Sequence, residues 1–234
     1  SNTVTLSSGT GLVTSATTTS LTLTFATQPF LSNLTAVVNS FGGNSGTPTG
    51  TPVQVATIVA PPTITTSTAS LAINAPTIVI NGTGFSNTAA SNVVTFNNGA
   101  VGTVTTATST ALTVTFSILP LALGTLSASV VSNGITSGNP FGTMVQVATI
   151  VAAPTVTFSN ANIASVVTTL TILGTGFNAT TPASNTVVFS NGAIGTVNSA
   201  TATQLIVTYS TQPAAGALTA IVTSFGGSSG AAVQ

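Results

Sequence analysis

The sequence predicts an all-β chain of tandem sandwich domains. Three observations carry that expectation. An eleven-residue phrase, Val53 to Thr63, returns at Val145 to Thr155 with the single change of Ala153 for the first proline, and begins again at Val233-Gln234. Apolar and polar residues alternate with period two, as they do in strands with one buried face. No stretch shows a 3.6-residue apolar period, and β-branched residues are abundant throughout. The copies of the phrase start 92 and then 88 residues apart, so each repeat is a whole small domain rather than one turn of a solenoid. The phrase reads as a strand that closes one domain, followed by a proline stop that opens the next. The expected domains are 1–59, lacking opening strands; 60–151, complete; and 152–234, with a shortened closing strand.

Each repeat starts its shared pattern with the same strand. Ser1-Asn2-Thr3-Val4-Thr5-Leu6 matches Ser91 to Phe96 and Ser184 to Phe189. Leu21-Thr22-Leu23-Thr24-Phe25 matches Leu112 to Phe116 and Leu205 to Tyr209, and a third set runs Leu34 to Val38, Leu126 to Val130 and Leu218 to Val222. Turn signals separate these strands. Asn98-Gly99 and Asn191-Gly192, with Ser8-Gly9 at the same phase, suit two-residue hairpin turns because Asn and Gly tolerate positive φ. Phe41-Gly42-Gly43 and Phe225-Gly226-Gly227 mark a looser turn before the closing strand, where the second repeat has Ser132-Asn133-Gly134 and a Pro140-Phe141-Gly142 loop. The second and third repeats also open with an apolar strand running into Gly82-Thr83-Gly84-Phe85 and Gly174-Thr175-Gly176-Phe177. About seven short strands in roughly 90–100 residues define an immunoglobulin-like sandwich. The expected architecture is a rod-like array of such domains.

The Gly-x-Gly-Phe opening, the Asn-x-Val-x-Phe strand and the proline-led start of each unit resemble IPT/TIG repeats. That resemblance implies the immunoglobulin-like fold and, in bacterial surface proteins, a spacer or adhesive role. It brings no catalytic residues. The chain departs from that pattern in its complete lack of charge.

The 234 residues include no Lys, Arg, Asp, Glu, His or Cys, so only the termini and the Tyr209 phenol can ionise. Ordinary soluble domains are roughly 25% charged. Folding survives this loss, because an exposed salt bridge is worth about 0–1 kcal/mol while burying one Val, Leu or Phe contributes roughly 1.5–3 kcal/mol. Repulsion between molecules does not survive it: near-zero net charge promotes association, and no Lys blunts the strand edges. Nucleic-acid binding and attraction to anionic membranes both need basic residues that are absent. The apolar runs are too short for a transmembrane helix, so no membrane insertion is expected.

General acid–base catalysis needs a group titrating near working pH, and abundant Ser and Thr have no base to activate them, so no enzyme is expected. Only a free α-amine acting on Ser1 stands as an exception, and Ser1 reads as a strand start. Metal and cofactor sites are not expected without Cys, His or carboxylates. Gly82-Thr83-Gly84 and Gly174-Thr175-Gly176 lack the following helix and Lys of a phosphate cradle, and read as turns or bulges. Isopeptide cross-links would need Lys and a carboxylic acid. Asn33, Asn81 and Asn178 sit in Asn-x-Ser/Thr glycosylation sequons. Tyr209, at the phase of Phe25 and Phe116, reads as a core-edge aromatic.

The ends, Ser1-Asn2 and Val233-Gln234, are expected to be assembly ends, completed by a neighbouring molecule or by a longer repetitive chain. The function expected is a structural segment of an extracellular filament, sheath or stalk, partnered head to tail with itself and insensitive to pH between about 2 and 10. The alternative is a cell-surface adhesin or carbohydrate-binding spacer, with glycans as partners.

Overall fold

A computed structural model describes residues 2–46, 48–138 and 142–234. The Pro140-Phe141 part of the loop expected in the second repeat, Thr47 and the assembly end Ser1 lie outside the described residues. The fold is all-β, of immunoglobulin-like sandwich type, and divides into two compact units, Ser1–Ala60 and Pro61–Gln234.

The first unit contains two sheets. Asn33–Ser40 is the centre of one, with Thr3–Leu6 on one edge and Gly43–Asn44 and Val53–Thr57 sharing the other. Thr10–Ala16 and Leu21–Thr27 form the second, a two-stranded ribbon.

The second unit contains the second and third repeats, each with its own core. In the second repeat one sheet runs Asn92–Phe96, Gly124–Ser132, Val145–Val151 and Ser70–Ala72, with Ile135–Thr136 folded back on Gly124–Ser132. The facing sheet runs Val101–Ala107, Ala111–Ile118, Thr77–Thr83 and Thr63–Ile64. The opening segment therefore serves both layers. Thr63–Ile64 pairs antiparallel with Thr77–Thr83, and the chain then crosses so that Ser70–Ala72 runs parallel to Val145–Val151. Strict alternation places Ile78, Ile80, Val94, Phe96, Leu112, Val114, Leu126 and Val130 between the layers. In the third repeat the sheets are Thr155–Val156, Thr169–Thr175, Gln204–Thr211, Ile194–Ala200, and Thr186–Phe189, Ala220–Ser224, Gly227–Ser228. Its core gathers Ile172, Phe177, Val197, Leu205, Val207 and Val222.

Two turn expectations are corrected. Asn98-Gly99 and Asn191-Gly192 do adopt positive φ, at 59° and 70°, and 55° and 70°. The strands they join are not a hairpin, however, because Asn92–Phe96 and Val101–Ala107 belong to opposite sheets. Each turn is a corner that carries the chain from one layer to the other, tied by Asn98 Nδ2 donating to the Ala122 carbonyl and Asn191 Nδ2 to the Ala217 carbonyl, both at 2.7 Å. The Phe41-Gly42 and Phe225-Gly226 turns, expected to be loose, are tight two-residue hairpins with φ of 51° and 80°, and 49° and 78°. Ser40 pairs with Gly43 and Ser224 with Gly227 directly across them.

The Gly-Thr-Gly-Phe openings explain themselves in packing. A Cβ on Gly82 would strike the Thr63 carbonyl and the Phe85 ring, and one on Gly174 would strike the Thr155 carbonyl and the Phe177 ring. Glycine lets each ring fold back over its own strand into the core, and Gly84 and Gly176 turn the chain at φ 72° to bring it there.

Candidate assembly surfaces

A polar clamp, used once in each repeat, positions the edge strands. Asn92 is buried. Its Nδ2 donates to the carbonyls of Ser86 and Thr88, at 2.9 and 3.0 Å, and its Oδ1 accepts from the Ser86 N–H and the Ser132 hydroxyl. Asn185 repeats this with the Asn178 and Pro182 carbonyls and the Asn178 N–H, which also donates to Ser224 Oγ. Asn2, expected as an assembly end, stands at the same phase, and its Oδ1 accepts from Ser40 Oγ at 2.6 Å. The recurring Ser-Asn pair was visible in the sequence, but its role as a clamp was not.

Between the second and third repeats the structure contains a built joint. The Phe225-Gly226-Gly227 turn lies on the segment Leu71 to Ala75. The Ala72 N–H donates to the Phe225 carbonyl at 2.9 Å, and Asn74 Nδ2 donates to the Ser228 carbonyl at 2.8 Å. A Cβ on Gly227 would collide with Asn74 Oδ1 and Ala72 Cβ, and one on Gly226 would stand 3.4 Å from Ala75 Cβ. The joint thus depends on the close approach that two glycines allow.

Two further surfaces are apolar and open. Among the described residues Val53–Thr57 pairs on one edge, with Asn33–Ser40, and all five of its residues are exposed. In the second repeat the strand of identical sequence has Ser70–Ala72 on its other edge and drives Val147, Ala148 and Ile150 into the core. The contrast is sharp at one residue: Val55 is 59% exposed and its counterpart Val147 is 4% exposed. In the third repeat the corresponding position holds Val233, bridged to Ala220, and Gln234, whose carbonyl accepts from the Ser159 N–H at 2.7 Å. Beside them runs a groove of about 850 Å³ bordered by Phe158, Ile163, Leu170, Ile172, Phe189 and Val233.

The remaining sequence-predicted residues are placed as follows. Asn33 and Asn81 are exposed on strands, and Asn33 Oδ1 accepts from Thr57 Oγ1 at 3.2 Å. Asn178 is half-buried, and its Oδ1 accepts from the N–H groups of Thr180 and Thr181 at 3.1 and 3.0 Å. Tyr209 is buried with its ring tilted on Phe189 at 5.4 Å, as Phe116 is tilted on Phe96 at 5.3 Å. Its hydroxyl has no hydrogen-bond partner among the described residues, and burial raises its pKa above the ordinary phenol value. Among the described residues no helix is long and apolar enough to cross a membrane.

No family model matches the chain, and no curated protein matches it. Among solved structures it is similar to domains 5–6 of the S-layer protein SbsC, at 15% identity and TM-score 0.24, over 73% of this chain and 93% of that one. It is also similar to the Bacteroides ovatus mixed-linkage glucan utilization locus protein SGBP-B in complex with a mixed-linkage heptasaccharide, at 16% identity and TM-score 0.28, over 100% and 56%. A third similarity is to PcdhgB3 EC1-4, at 15% identity and TM-score 0.23, over 99% and 65%.

Proposed function

We propose that the chain is a structural segment of an extracellular filament, sheath or stalk, built of IPT/TIG-type repeats that associate end to end. The observation that carries this reading is the joint between the second and third repeats, where the Phe225-Gly226-Gly227 turn docks on the Leu71 to Ala75 segment in a protein with no charged side chain to oppose such packing. The strand Val145–Val151, bonded on both edges, supports strand pairing as a second mode of contact. Association then runs on backbone hydrogen bonds and apolar burial, with Thr and Asn adding polar contacts that neither acid nor salt titrates. No group in these surfaces supports catalysis, and no cofactor is assigned.

The test is electron microscopy and sedimentation velocity on the purified chain over a concentration series. Concentration-dependent polymers are the expected result. A monomer at every concentration that binds glycans on an array would instead favour the second reading, a carbohydrate-binding surface module. The exposed ring of Phe158 beside the third-repeat groove is the feature that supports it.

A further inference from the structure

Asparagine followed by glycine is a chemically unstable pair, and the chain contains four: Asn81-Gly82, Asn98-Gly99, Asn133-Gly134 and Asn191-Gly192. In such a pair the glycine nitrogen can attack the asparagine Cγ, because glycine has no side chain to hinder the approach. The reacting atoms must come within about 3–3.5 Å, with the peptide between them turned toward the side chain. Hydrogen bonds that fix that peptide, or the side-chain amide, oppose the reaction.

Three of the four pairs are fixed in this way. The Gly82 N–H donates to the Thr110 carbonyl at 2.9 Å, and the Asn81 carbonyl accepts from the Thr65 N–H at 2.8 Å. The Asn98 carbonyl accepts from the Leu121 N–H at 3.1 Å, while its Nδ2 is held by the Ala122 carbonyl. The Asn191 carbonyl accepts from the Ala214 N–H at 3.2 Å, while its Nδ2 is held by the Ala217 carbonyl. Asn133-Gly134 differs. It is the exposed tip of the hairpin between Gly124–Ser132 and Ile135–Thr136. Among the described residues its Asn133 carbonyl, its Asn133 side-chain amide and its Gly134 N–H have no hydrogen-bond partner. The Asn133 N–H is held by the Ser91 carbonyl at 2.9 Å, but that bond lies on the other side of Cα from the reacting peptide. Ring closure requires the Asn133–Gly134 peptide to rotate out of the turn. No atom stands within 4 Å of where a Gly134 Cβ would lie, so the rotation has room.

We propose that Asn133 is a site of spontaneous deamidation, selected from the four pairs by its free peptide. The Gly134 nitrogen, giving its proton to hydroxide, bonds to Asn133 Cγ. The Cγ–Nδ2 bond breaks and ammonia leaves, which closes a five-membered succinimide. Water then adds to one of the two imide carbonyls and opens the ring, to aspartate or to isoaspartate. The balance is amide plus water to carboxylate plus ammonium, with no oxidant or reductant. The product carries a carboxylate side chain in a protein that otherwise has no charged side chain. Its isoaspartate form also adds one methylene to the main chain at the hairpin tip. The first and third repeats hold Phe41 and Phe225 at this position, with φ of 51° and 49° against 49° at Asn133, so the reaction belongs to the second repeat's turn alone.

The test incubates the purified whole chain at about pH 9, below the ordinary phenol pKa, in water enriched in heavy oxygen. Isoelectric focusing follows the acidic product, and peptide mapping by mass spectrometry locates the incorporated oxygen. Asn133 should convert at least about tenfold faster than Asn81, Asn98 or Asn191, a factor of 1.4 kcal/mol, which is the scale of the hydrogen bonds that hold the other three. In guanidinium chloride, where those bonds are gone, the four rates should converge. Asn133→Phe, the residue that this fold already places at 41 and 225, should remove the early acidic species. Conversion at another pair as fast as at Asn133 in the folded chain overturns the proposal, as does the absence of conversion at Asn133 while the denatured chain reacts. A lead for Asn133 that persists undiminished in denaturant also overturns it, because sequence rather than structure would then select the site.

Discussion

Asn92 and Asn185 are buried polar residues that each gather several hydrogen bonds beside a core. Each satisfies backbone groups that would otherwise be orphaned beside the core, so truncation leaves both a cavity and unpaired donors and acceptors. Asn92→Ala or Asn185→Ala should cost about 2–3 kcal/mol, read as a lower midpoint in urea. Tyr209 presents the opposite case. Its hydroxyl is buried without a partner among the described residues, so Tyr209→Phe should be neutral or stabilising by about 1 kcal/mol. The pH dependence follows from the same burial. The phenol's pKa is raised in the folded state, so its contribution is fully present below the unfolded value of about 10 and is lost as pH rises through the folded value. Thermal unfolding should show an alkaline loss of stability in the wild type that is reduced in the Tyr209→Phe variant.

The closing strand shows how far a local sequence reaches. Val53–Thr57 and Val145–Val151 share their sequence and also share a bulge. Leu34 pairs with Ala56 and Thr35 with Gln54, skipping Val55, as Leu126 pairs with Ala148 and Ser127 with Gln146, skipping Val147. The bulge travels with the strand and its partner, whereas burial does not. The opening strand is similarly specified by its glycines. Gly82→Ala or Gly174→Ala should destabilise its repeat by about 3 kcal/mol, because the Cβ meets a backbone carbonyl and a core ring that cannot both move. Phe85 and Phe177 were legible as part of a motif, but their fold-back over those glycines was not, since it is a contact between main chain and ring. The Asn-Gly corners failed as hairpins for a related reason. Turn chemistry reports φ, and it is blind to which sheet the next strand joins.

At the scale of the molecule, the joint between the second and third repeats couples two cores that are otherwise separate. Gly227→Val should leave each core folded and uncouple them, so that urea unfolding of the Pro61–Gln234 unit changes from one transition to two. Association of whole chains should be nearly unchanged from low salt to 1 M NaCl and from about pH 3 to 9, because no side chain in these surfaces titrates or carries a charge to be screened there. Mild acid dissociating the assembly would count against this. The amino-acid sequence alone determined the all-β class, the repeats, the strands and their inward faces, because period-two patterning and turn residues act over a few neighbours. It also determined the loss of ionic chemistry, which is a matter of composition. Only the tertiary structure decided how deeply each copy of Val-Gln-Val-Ala-Thr-Ile-Val is buried, and that the Phe225-Gly226-Gly227 turn docks on the Leu71 to Ala75 segment. Burial and docking are relations between segments distant in sequence, and identical residues acquire different exposure when the segments facing them differ.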